Sequence, residues 1–428
     1  LAEQKKQKKA KKQNLKAISP SEAEIKSLLD NYQKGLYGDA EKLALTIIQE
    51  FPKHQFSWKV LGAVLKETGR VRESLVASQK SVQLAPQDAE SHSNLGITLQ
   101  ELGRLDEAKA SYGQAIALKP DYADAHNNLG NTLQELGRLD EAEASYTQAI
   151  ALKPDYADAH HNLGNMFQKL GRLVEAKASL TQAIALKPDV SDAHYNLGNT
   201  LQQQGRFDEA ETSYRQAIAL KPDLADAQFN LGITLQALGR FGEAEAIYWQ
   251  AIAVKPDYAE AYNNLGTTLN ELGRLNEAEA SYTQAIVLKP DYAKAHINLG
   301  NTLRELGRLD EAEVSNRQVI ALAPDLADTH YNLGITLYVL GRFDEAEASY
   351  KQAISIKPDY AEAYNTLGNT LQKQGRLVEA EASYMQAIAL KPDLTDAYYN
   401  LGITLQALGR FDEAEASYKQ AIALKPAY

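Results

Sequence analysis

Histidine has the widest chemistry of any residue in this sequence, because its side chain can transfer protons or bind a metal ion. Six of the eight histidines recur at multiples of 34 residues, namely His92, His126, His160, His194, His296 and His330. Equivalent side chains on neighbouring helices lie about 10 Å apart, whereas zinc ligands lie about 2 Å from the metal. Tyr262, Tyr364 and Tyr398 occupy the same position elsewhere. The spacing therefore favours a packing role over a metal site.

Other reactive groups are not arranged for catalysis either. The chain has no cysteine, which excludes a disulfide framework, a thiolate metal site and a thiol nucleophile. It contains no G-x-x-x-x-G-K-[ST], H-E-x-x-H, G-x-S-x-G or G-x-G-x-x-G motif. The sequence therefore predicts a protein that is not an enzyme and needs no cofactor. No apolar run approaches the roughly 18 residues that span a bilayer, and we expect a cytoplasmic location.

Asparagine is the polar residue with the most regular spacing. Nine asparagines precede a Leu-Gly pair, namely Asn94, Asn128, Asn162, Asn196, Asn230, Asn264, Asn298, Asn332 and Asn400, and Thr366 breaks the series. Asparagine inside a helix is less favourable than alanine by about 0.5–0.7 kcal/mol, so nine copies require a reason. The residue just before each asparagine varies from Ser93 to Asn127 to Tyr399. The constant asparagine therefore indicates a function or a bridge between neighbouring helices.

The elements that position these residues follow from proline and glycine. Twelve of the 13 prolines recur every 34 residues from Pro52, and 23 of the 26 glycines form two series with the same period. Such a period predicts an array of repeats rather than one packed core. We expect a lysine-rich arm at 1–16, two degenerate repeats at 17–88 and ten near-identical repeats at 89–428. The chain carries a net charge of −11, and the arm has seven lysines and one acid.

The repeat at 123–156 shows the predicted local structure. Apolar residues at spacings of three and four predict a first helix over 124–136, which Gly137 ends because it tolerates a positive φ. A second helix buries Ala142, Tyr146 and Ala149, and we expect Gly130 to let the two helices approach closely. Predicted caps are Asp140 with Glu143 for the second helix, Asp155 for the next helix and Ser19 for the first helix of the array.

These residues resemble a known repeat family. Trp58-x2-Leu61-Gly62, His92-x2-Leu95-Gly96, Ala108-x3-Tyr112 and Pro120 follow the signature of the tetratricopeptide repeat. The resemblance covers residues 21–428 and implies an all-α, right-handed superhelical solenoid of about twelve 34-residue helix-turn-helix repeats. The asparagine series resembles the ladder in the arm of O-linked N-acetylglucosamine transferases and in similar long bacterial arrays. By that resemblance, the amides would hold the backbone of an extended polypeptide in a concave groove.

The expected function is therefore a non-catalytic scaffold for protein–protein interaction. Two alternatives stay open, namely the arm of a larger glycosyltransferase, methyltransferase or sulfotransferase, and a unit of an end-to-end assembly. Acids precede the asparagines by four residues at Asp124, Asp158, Asp192, Asp226, Glu260, Asp328, Glu362 and Asp396, with Lys294 as the exception. This acidic groove favours a neutral or basic peptide partner. The lysine-rich arm lacks interleaved aromatic residues, so we expect no specific nucleic-acid binding.

Two apolar features suggest further contacts. Three stripes run at i, i+4 and i+8 along first helices, namely Phe229-Ile233-Ala237, Tyr331-Ile335-Val339 and Tyr399-Ile403-Ala407. They are candidate pads for ligand side chains, or else products of block duplication, because 230–240 and 400–410 are identical. The last repeat is an almost unmodified interior repeat, so we expect Tyr418 and Ile422 to be open to water. Either the natural chain continues beyond Tyr428 or this end self-associates.

Overall fold

The computed structural model describes residues 19–425, which form 24 α-helices in pairs and contain no strand. This confirms the prediction of an all-α array of twelve helix pairs, while the handedness of the superhelix stays a prediction. The lysine-rich arm at 1–16 and the last three residues lie outside the described part of the chain. None of the helices within 19–425 has the length and hydropathy needed to cross a bilayer.

The chain divides into two compact units, of which the first ends at Arg206 and the second begins at Phe207. The helices of the first unit are Glu22–Gln33 (α1), Tyr37–Glu50 (α2), Gln55–Glu67 (α3), Val71–Leu84 (α4), Ala89–Glu101 (α5), Leu105–Leu118 (α6), Ala123–Glu135 (α7), Leu139–Leu152 (α8), Ala157–Lys169 (α9), Leu173–Leu186 (α10) and Ser191–Gln203 (α11). Those of the second unit are Phe207–Leu220 (α12), Ala225–Ala237 (α13), Phe241–Val254 (α14), Ala259–Glu271 (α15), Leu275–Leu288 (α16), Ala293–Glu305 (α17), Leu309–Leu322 (α18), Ala327–Val339 (α19), Phe343–Ile356 (α20), Ala361–Lys373 (α21), Leu377–Leu390 (α22), Thr395–Ala407 (α23) and Phe411–Leu424 (α24).

The turn inside each repeat depends on a glycine with positive φ. Gly137 has a φ of 73° and its N–H donates to the carbonyl of Gln134 at 3.0 Å. The N–H of Arg138 then donates to the carbonyl of Leu133 at 2.8 Å, which closes the end of α7. A side chain at this φ would be strained, so glycine allows the chain to reverse within two residues. The predicted helix stop at Gly137 is confirmed.

The predicted caps within the repeats were wrong. Arg138 is the N-cap of α8 and Tyr156 that of α9, and neither side chain accepts a capping hydrogen bond. Asp140 and Glu143 therefore do not cap α8. Instead, Arg138 donates from Nε and Nη2 to the carboxylate of Glu141, each at 2.7 Å, across the exposed first turn. The short turn places arginine at the cap, and Glu143 pairs with Arg172 of the next repeat rather than with a backbone N–H group.

The cap of α1 was predicted two residues too early. The N-cap is Ser21 rather than Ser19, and it forms a capping box with Glu24. The N–H of Glu24 donates to Oγ of Ser21 at 3.3 Å, and the N–H of Ser21 donates to Oε2 of Glu24 at 2.8 Å. Both serines have a glutamate three residues later, Glu22 for Ser19 and Glu24 for Ser21, and the capping box forms at Ser21.

A buried tyrosine lies against the first-helix glycine of most repeats. Tyr146 is fully buried, and a Cβ atom added to Gly130 would lie 2.6 Å from its Cε1. The same contact recurs at Gly96 with Tyr112 and at Gly334 with Tyr350. The prediction that Gly130 allows close helix approach is confirmed, because any larger residue there overlaps the ring.

First helices form an inner layer within each unit. Within each unit, every first helix contacts the first helix of the next repeat, for example α7 with α9 and α17 with α19, whereas consecutive second helices of the same unit make no such contact. The first helices of each unit therefore form a continuous layer, and the second helices do not. The asparagine series and the three apolar stripes belong to this inner layer.

Candidate functional site

The histidine series packs against the end of the preceding repeat. Nε2 of His126 lies 3.2 Å from the carbonyl oxygen of Pro120, and Nε2 of His330 lies 2.9 Å from that of Pro324. Trp58 makes the equivalent hydrogen bond through Nε1 at 3.0 Å to the carbonyl of Pro52. Each ring thus links a first helix to the proline carbonyl group in the turn that follows the preceding second helix. Among residues 19–425, no group of three histidines or acids is placed to hold a metal.

The nine asparagines of the series are all half-buried, and in the first unit two of them bridge adjacent first helices. Nδ2 of Asn162 donates to Oδ1 of Asn127 at 3.1 Å. Nδ2 of Asn196 lies 3.0 Å from Nε2 of His161. The acceptor in each case is the residue directly before the asparagine of the preceding repeat, 35 residues earlier.

The second unit contains the same bridge. Nδ2 of Asn298 donates to Oδ1 of Asn263 at 3.0 Å, and Nδ2 of Asn400 donates to Oδ1 of Asn365 at 3.3 Å. Bridging between adjacent first helices, one of the two explanations for the series, is therefore present at four of its positions. The bridge orients each amide, but it uses only one of the hydrogen bonds that the amide can make.

Sequence analysis missed the partner in this bridge. The partner lies on the preceding first helix, 35 residues before the bridging asparagine. That residue is Asn127, His161, Asn263 or Asn365 where a bridge forms, and Phe229, Tyr331 or Tyr399 where an apolar stripe begins. The sequence contains a signal for this partner, because the position directly before each asparagine of the series varies between hydrogen-bonding and aromatic residues. Thr366, the gap in the series, comes 35 residues after Tyr331, and its hydroxyl donates to the carbonyl of Glu362 at 3.1 Å.

The aromatic residues of the apolar stripes contact other rings of the chain. The ring centroid of Phe229 lies 4.8 Å from that of Tyr258 and 6.0 Å from that of Tyr248. Tyr331 lies 5.0 Å from Tyr360 and 6.0 Å from Tyr350.

The remaining stripe residues differ in exposure. Tyr399 lies 5.9 Å from Tyr418 and is 40% exposed. The isoleucines one turn further along, Ile233, Ile335 and Ile403, are half-buried. The stripes therefore present partial apolar surface beside rings that already pack together.

The acidic positions of the inner layer are partly neutralised in the second unit. Oε1 of Glu260 lies 3.3 Å from Nζ of Lys289, and Oε1 of Glu362 lies 2.8 Å from Nζ of Lys391. Asp124, Asp158 and Asp192 of the first unit are exposed at the start of their helices, and so are Asp226, Asp328 and Asp396 of the second unit. Negative charge is thus available along the inner layer of both units.

The last described repeat exposes apolar side chains. Phe411 is 68% exposed and Ile422 is 53% exposed, whereas Tyr418 is half-buried against Gly402. The expectation for Ile422 is met, and that for Tyr418 is met only in part. Self-association through this surface stays a prediction.

Comparison with family models gives matches from residue 60 to residue 427. Residues 60–293 match the model described as the cilia and flagella-associated protein 70 C-terminal domain. Models of the TPR repeat match 300–341 and 336–375. Models of the tetratricopeptide repeat match 281–314 and 359–427. Comparison with curated proteins found no match.

Three solved structures are similar to this chain over different shares of its length. YrrB, described as a TPR protein with an unusual peptide-binding site, is 26% identical with a TM-score of 0.40, covering 43% of this chain and 95% of its own. MamA is 24% identical with a TM-score of 0.36, covering 38% of this chain and 95% of its own. A chain of the APC/C hetero-tetramer Cut9–Hcn1 is 13% identical with a TM-score of 0.47, covering 94% of this chain and 93% of its own.

Proposed function

The chain belongs to the tetratricopeptide repeat family, and from this premise we propose that it is a non-catalytic scaffold whose inner layer binds extended polypeptides. The observation that carries the proposal is the row of half-buried asparagines on the first helices. A side-chain amide offers two donors and an acceptor, which are the groups that a peptide backbone can pair with in any sequence.

The bridges between first helices support this function rather than compete with it. Asn162 uses one N–H of its amide for Asn127, which leaves a second N–H and the carbonyl oxygen for a ligand. A side chain already held in one orientation loses less rotamer entropy when a ligand binds. Packing and ligand binding therefore use different atoms of the same amide.

The spacing of the asparagines fits an extended chain. Adjacent packed helices lie about 10 Å apart, and an extended polypeptide rises about 3.3 Å per residue. One asparagine would then meet about every third residue of the ligand. A ligand of nine residues would span three asparagines, which sets the minimum length for strong binding.

The charge of the inner layer supports a neutral or basic ligand. Asp124, Asp158 and Asp192 are exposed along the first unit, so they attract lysine and arginine side chains of a polypeptide without desolvating fully. The arm of a larger enzyme and the end-to-end assembly stay as alternative predictions.

The proposal is tested with a display library of unstructured 12-residue peptides selected on the full chain. Peptides selected on the wild type are then measured against a triple variant, Asn128→Ala with Asn162→Ala and Asn196→Ala. We expect the triple variant to lose binding by about a hundredfold, because each lost amide hydrogen bond contributes about 1 kcal/mol. Unchanged affinity would contradict the proposal.

The matched control removes three amides of similar size from the outer side of the array. Gln148, Gln182 and Gln216 are exposed on second helices, and their change to alanine should leave affinity unchanged. Thermal melting of both triple variants separates the two roles of asparagine. A cooperative melt with weak binding supports the ligand role, and loss of cooperative melting with the affinity per folded molecule retained supports the bridging role alone.

A further inference from the structure

The repeat at 293–326 departs from its neighbours at two linked positions. Asn316 stands where the flanking repeats have Tyr282 and Tyr350, and it is fully buried. Arg304 stands where the repeats at 225–258 and 361–394 have Gln236 and Gln372. In those repeats the two positions contact each other, since the hydroxyl of Tyr248 donates to Oε1 of Gln236 at 2.6 Å. The repeat has therefore exchanged a neutral Tyr–Gln pair for an asparagine and a charge.

Arg304 has lost the partner that its neighbours use. Nε2 of Gln236 donates to the hydroxyl of Thr268 on the next first helix at 2.8 Å, and Nδ2 of Asn270 donates to Thr302 at 3.1 Å. The equivalent threonine for Arg304 is Thr336, and its hydroxyl instead receives Nδ2 of Asn316 at 3.3 Å. Asn316 thus uses the hydroxyl of Thr336, which is the acceptor equivalent to the one that Gln236 and Asn270 use in their repeats.

Unpaired buried polar atoms are frequent in this repeat and at the start of the next one. Within residues 19–425, seven buried side-chain atoms have no hydrogen-bond partner, and four of them belong to Asn301, Arg304, Asn316 and Thr329. Arg304 as a whole is half-buried, its buried atom is Nη1, and among the described residues this arginine has no ion pair. A half-buried guanidinium with an unused N–H donor and no counter-ion is suited to bind an anion.

The charge of Arg304 acts on two tyrosines of the next repeat, Tyr331 on the inner layer and Tyr350 on the second helix behind it. Burial raises the pKa of Tyr331 and the carboxylate of Glu362 adds to this effect, whereas the charge of Arg304 and the hydroxyl of Thr366 lower the pKa. The charge of Arg304 also acts on Tyr350, whose ring lies 6.0 Å from that of Tyr331.

The acids near this surface are engaged by other groups. Glu362 pairs with Lys391 at 2.8 Å, and Asp328 accepts a hydrogen bond from Tyr360. The helix that carries Arg304 begins with Lys294 in place of an acid.

We propose, on the basis of the function above, that Arg304 binds the carboxylate of an aspartate or glutamate side chain in the polypeptide held by the second unit. Tyr331 on the next first helix supplies a hydroxyl donor, and the apolar stripe of Tyr331 and Ile335 contacts the neighbouring residues of the ligand. A carboxylate fits because it can accept two parallel N–H bonds from one guanidinium. The repeat at 293–326 thus adds one acidic requirement to a ligand that is otherwise neutral or basic.

The first test selects the 12-residue display library on the full chain and on its Arg304→Gln variant. Glutamine is the residue of neighbouring repeats at this position, so the variant retains a residue that the fold accepts. We expect one enriched aspartate or glutamate in the wild-type binders, no such enrichment for Arg304→Gln, and an affinity for the acidic peptides at least about tenfold lower in the variant. Arg317→Gln is the matched control, because Arg317 is exposed and pairs with Glu313 at 2.8 Å.

The second test measures the subsite without a peptide backbone. The arginine Nε–H signal of Arg304, assigned by its absence in Arg304→Gln, is followed by NMR while capped glutamate or capped glutamine is added. A saturating shift with glutamate alone supports the subsite, and no shift overturns it. If the peptides selected on the wild type contain no enriched aspartate or glutamate, the subsite is overturned, whereas the proposed function is not. If no peptide binds the wild type, the proposed function fails and the NMR result alone decides the subsite.

Discussion

Among the ten near-identical repeats at 89–428, two repeats, one in each unit, replace the central buried tyrosine, and they respond to the loss differently. In the repeat at 157–190 the residue is Leu180, which is fully buried with its Cγ 2.7 Å from a Cβ built on Gly164. Met166 and Phe167 stand there in place of the Thr132 and Leu133 of the preceding repeat, and both are buried. In the repeat at 293–326 the residue is Asn316, and the smaller Thr302 and Leu303 are retained.

The difference separates an apolar replacement from a polar one. Larger apolar neighbours accompany Leu180, and one atom of that repeat, Oδ1 of Asn165, has no partner. Around Asn316 the one larger apolar residue is the buried Val319, where the flanking repeats have alanine, and three atoms of the repeat have no partner. Because a solenoid repeat is held by both neighbours, one repeat can depart from the usual packing while its backbone keeps the same helix bounds.

The largest effect that tests this comparison is a truncation at the two central positions. Leu180→Ala should destabilise its repeat by about 2–5 kcal/mol, because it opens a cavity in a filled core. Asn316→Ala should lower stability by about 1 kcal/mol or less, since it removes one hydrogen bond together with an unpaired oxygen. Native-state amide exchange resolves local opening of α9 with α10 and of α17 with α18. Equal losses at both sites would remove the distinction.

Restoring the usual pair should convert the repeat at 293–326 into an ordinary one. We expect the double variant Asn316→Tyr with Arg304→Gln to be about 2 kcal/mol more stable than the wild type, because a buried ring replaces an amide whose oxygen has no partner. The two changes should be coupled, since the new hydroxyl needs the glutamine that Tyr248 uses at Gln236. The double variant should also lose the preference for acidic peptides. A double variant less stable than the wild type would show that the surrounding core has adapted to asparagine.

The first-helix glycines Gly300 and Gly334 give a smaller contrast in stability. A Cβ atom on Gly334 would lie 2.5 Å from Cε1 of the buried Tyr350, whereas a Cβ atom on Gly300 would lie 3.1 Å from Oδ1 of Asn316. Gly334→Ala should therefore destabilise by about 1–3 kcal/mol. Gly300→Ala should be close to neutral, because the gain in helix propensity offsets a slight shift of the asparagine. Chemical denaturation of the two variants in parallel measures the contrast.

The sequence predicted the repeat, its helices and its turn glycines because period and backbone conformation depend on the residue types themselves. It predicted the inner asparagines but not their partners, since a bridge between residues 35 apart depends on how one first helix lies against the next. Capping by Asp140 and Asp155 failed because each helix begins after another residue, namely Arg138 for α8 and Tyr156 for α9. Arg304 was also missed. A single arginine in a repeat with many charged residues is not recognisable as a binding residue until its burial and the absence of a partner are known.

The smallest departure within the inner layer is His161, which stands where two other repeats that form the bridge have Asn127 and Asn263. Its Nε2 lies 3.0 Å from Nδ2 of Asn196 and 3.2 Å from Nδ2 of Asn165, so the unprotonated nitrogen accepts from both amides. Burial lowers the pKa of His161 from its usual 6.5, and the charges of Asp192 and Asp158 only partly oppose this. The folded state therefore binds a proton less readily than the unfolded chain does.

The first unit should accordingly lose stability as the pH falls below about 6.5, the usual pKa of histidine. In that range the unfolded chain binds a proton at His161 that the folded chain does not bind, so the free energy of unfolding decreases towards acid pH. Protonation of the folded state at still lower pH would turn Nε2 into a donor and break both amide contacts. His161→Asn keeps an acceptor for Asn196, as Asn127 does for Asn162, and should reduce the difference in stability between pH 7.5 and pH 5.5. Amide exchange of α9 and α11 at the two pH values measures this difference, and an equal pH dependence in the variant would show that His161 is not its source.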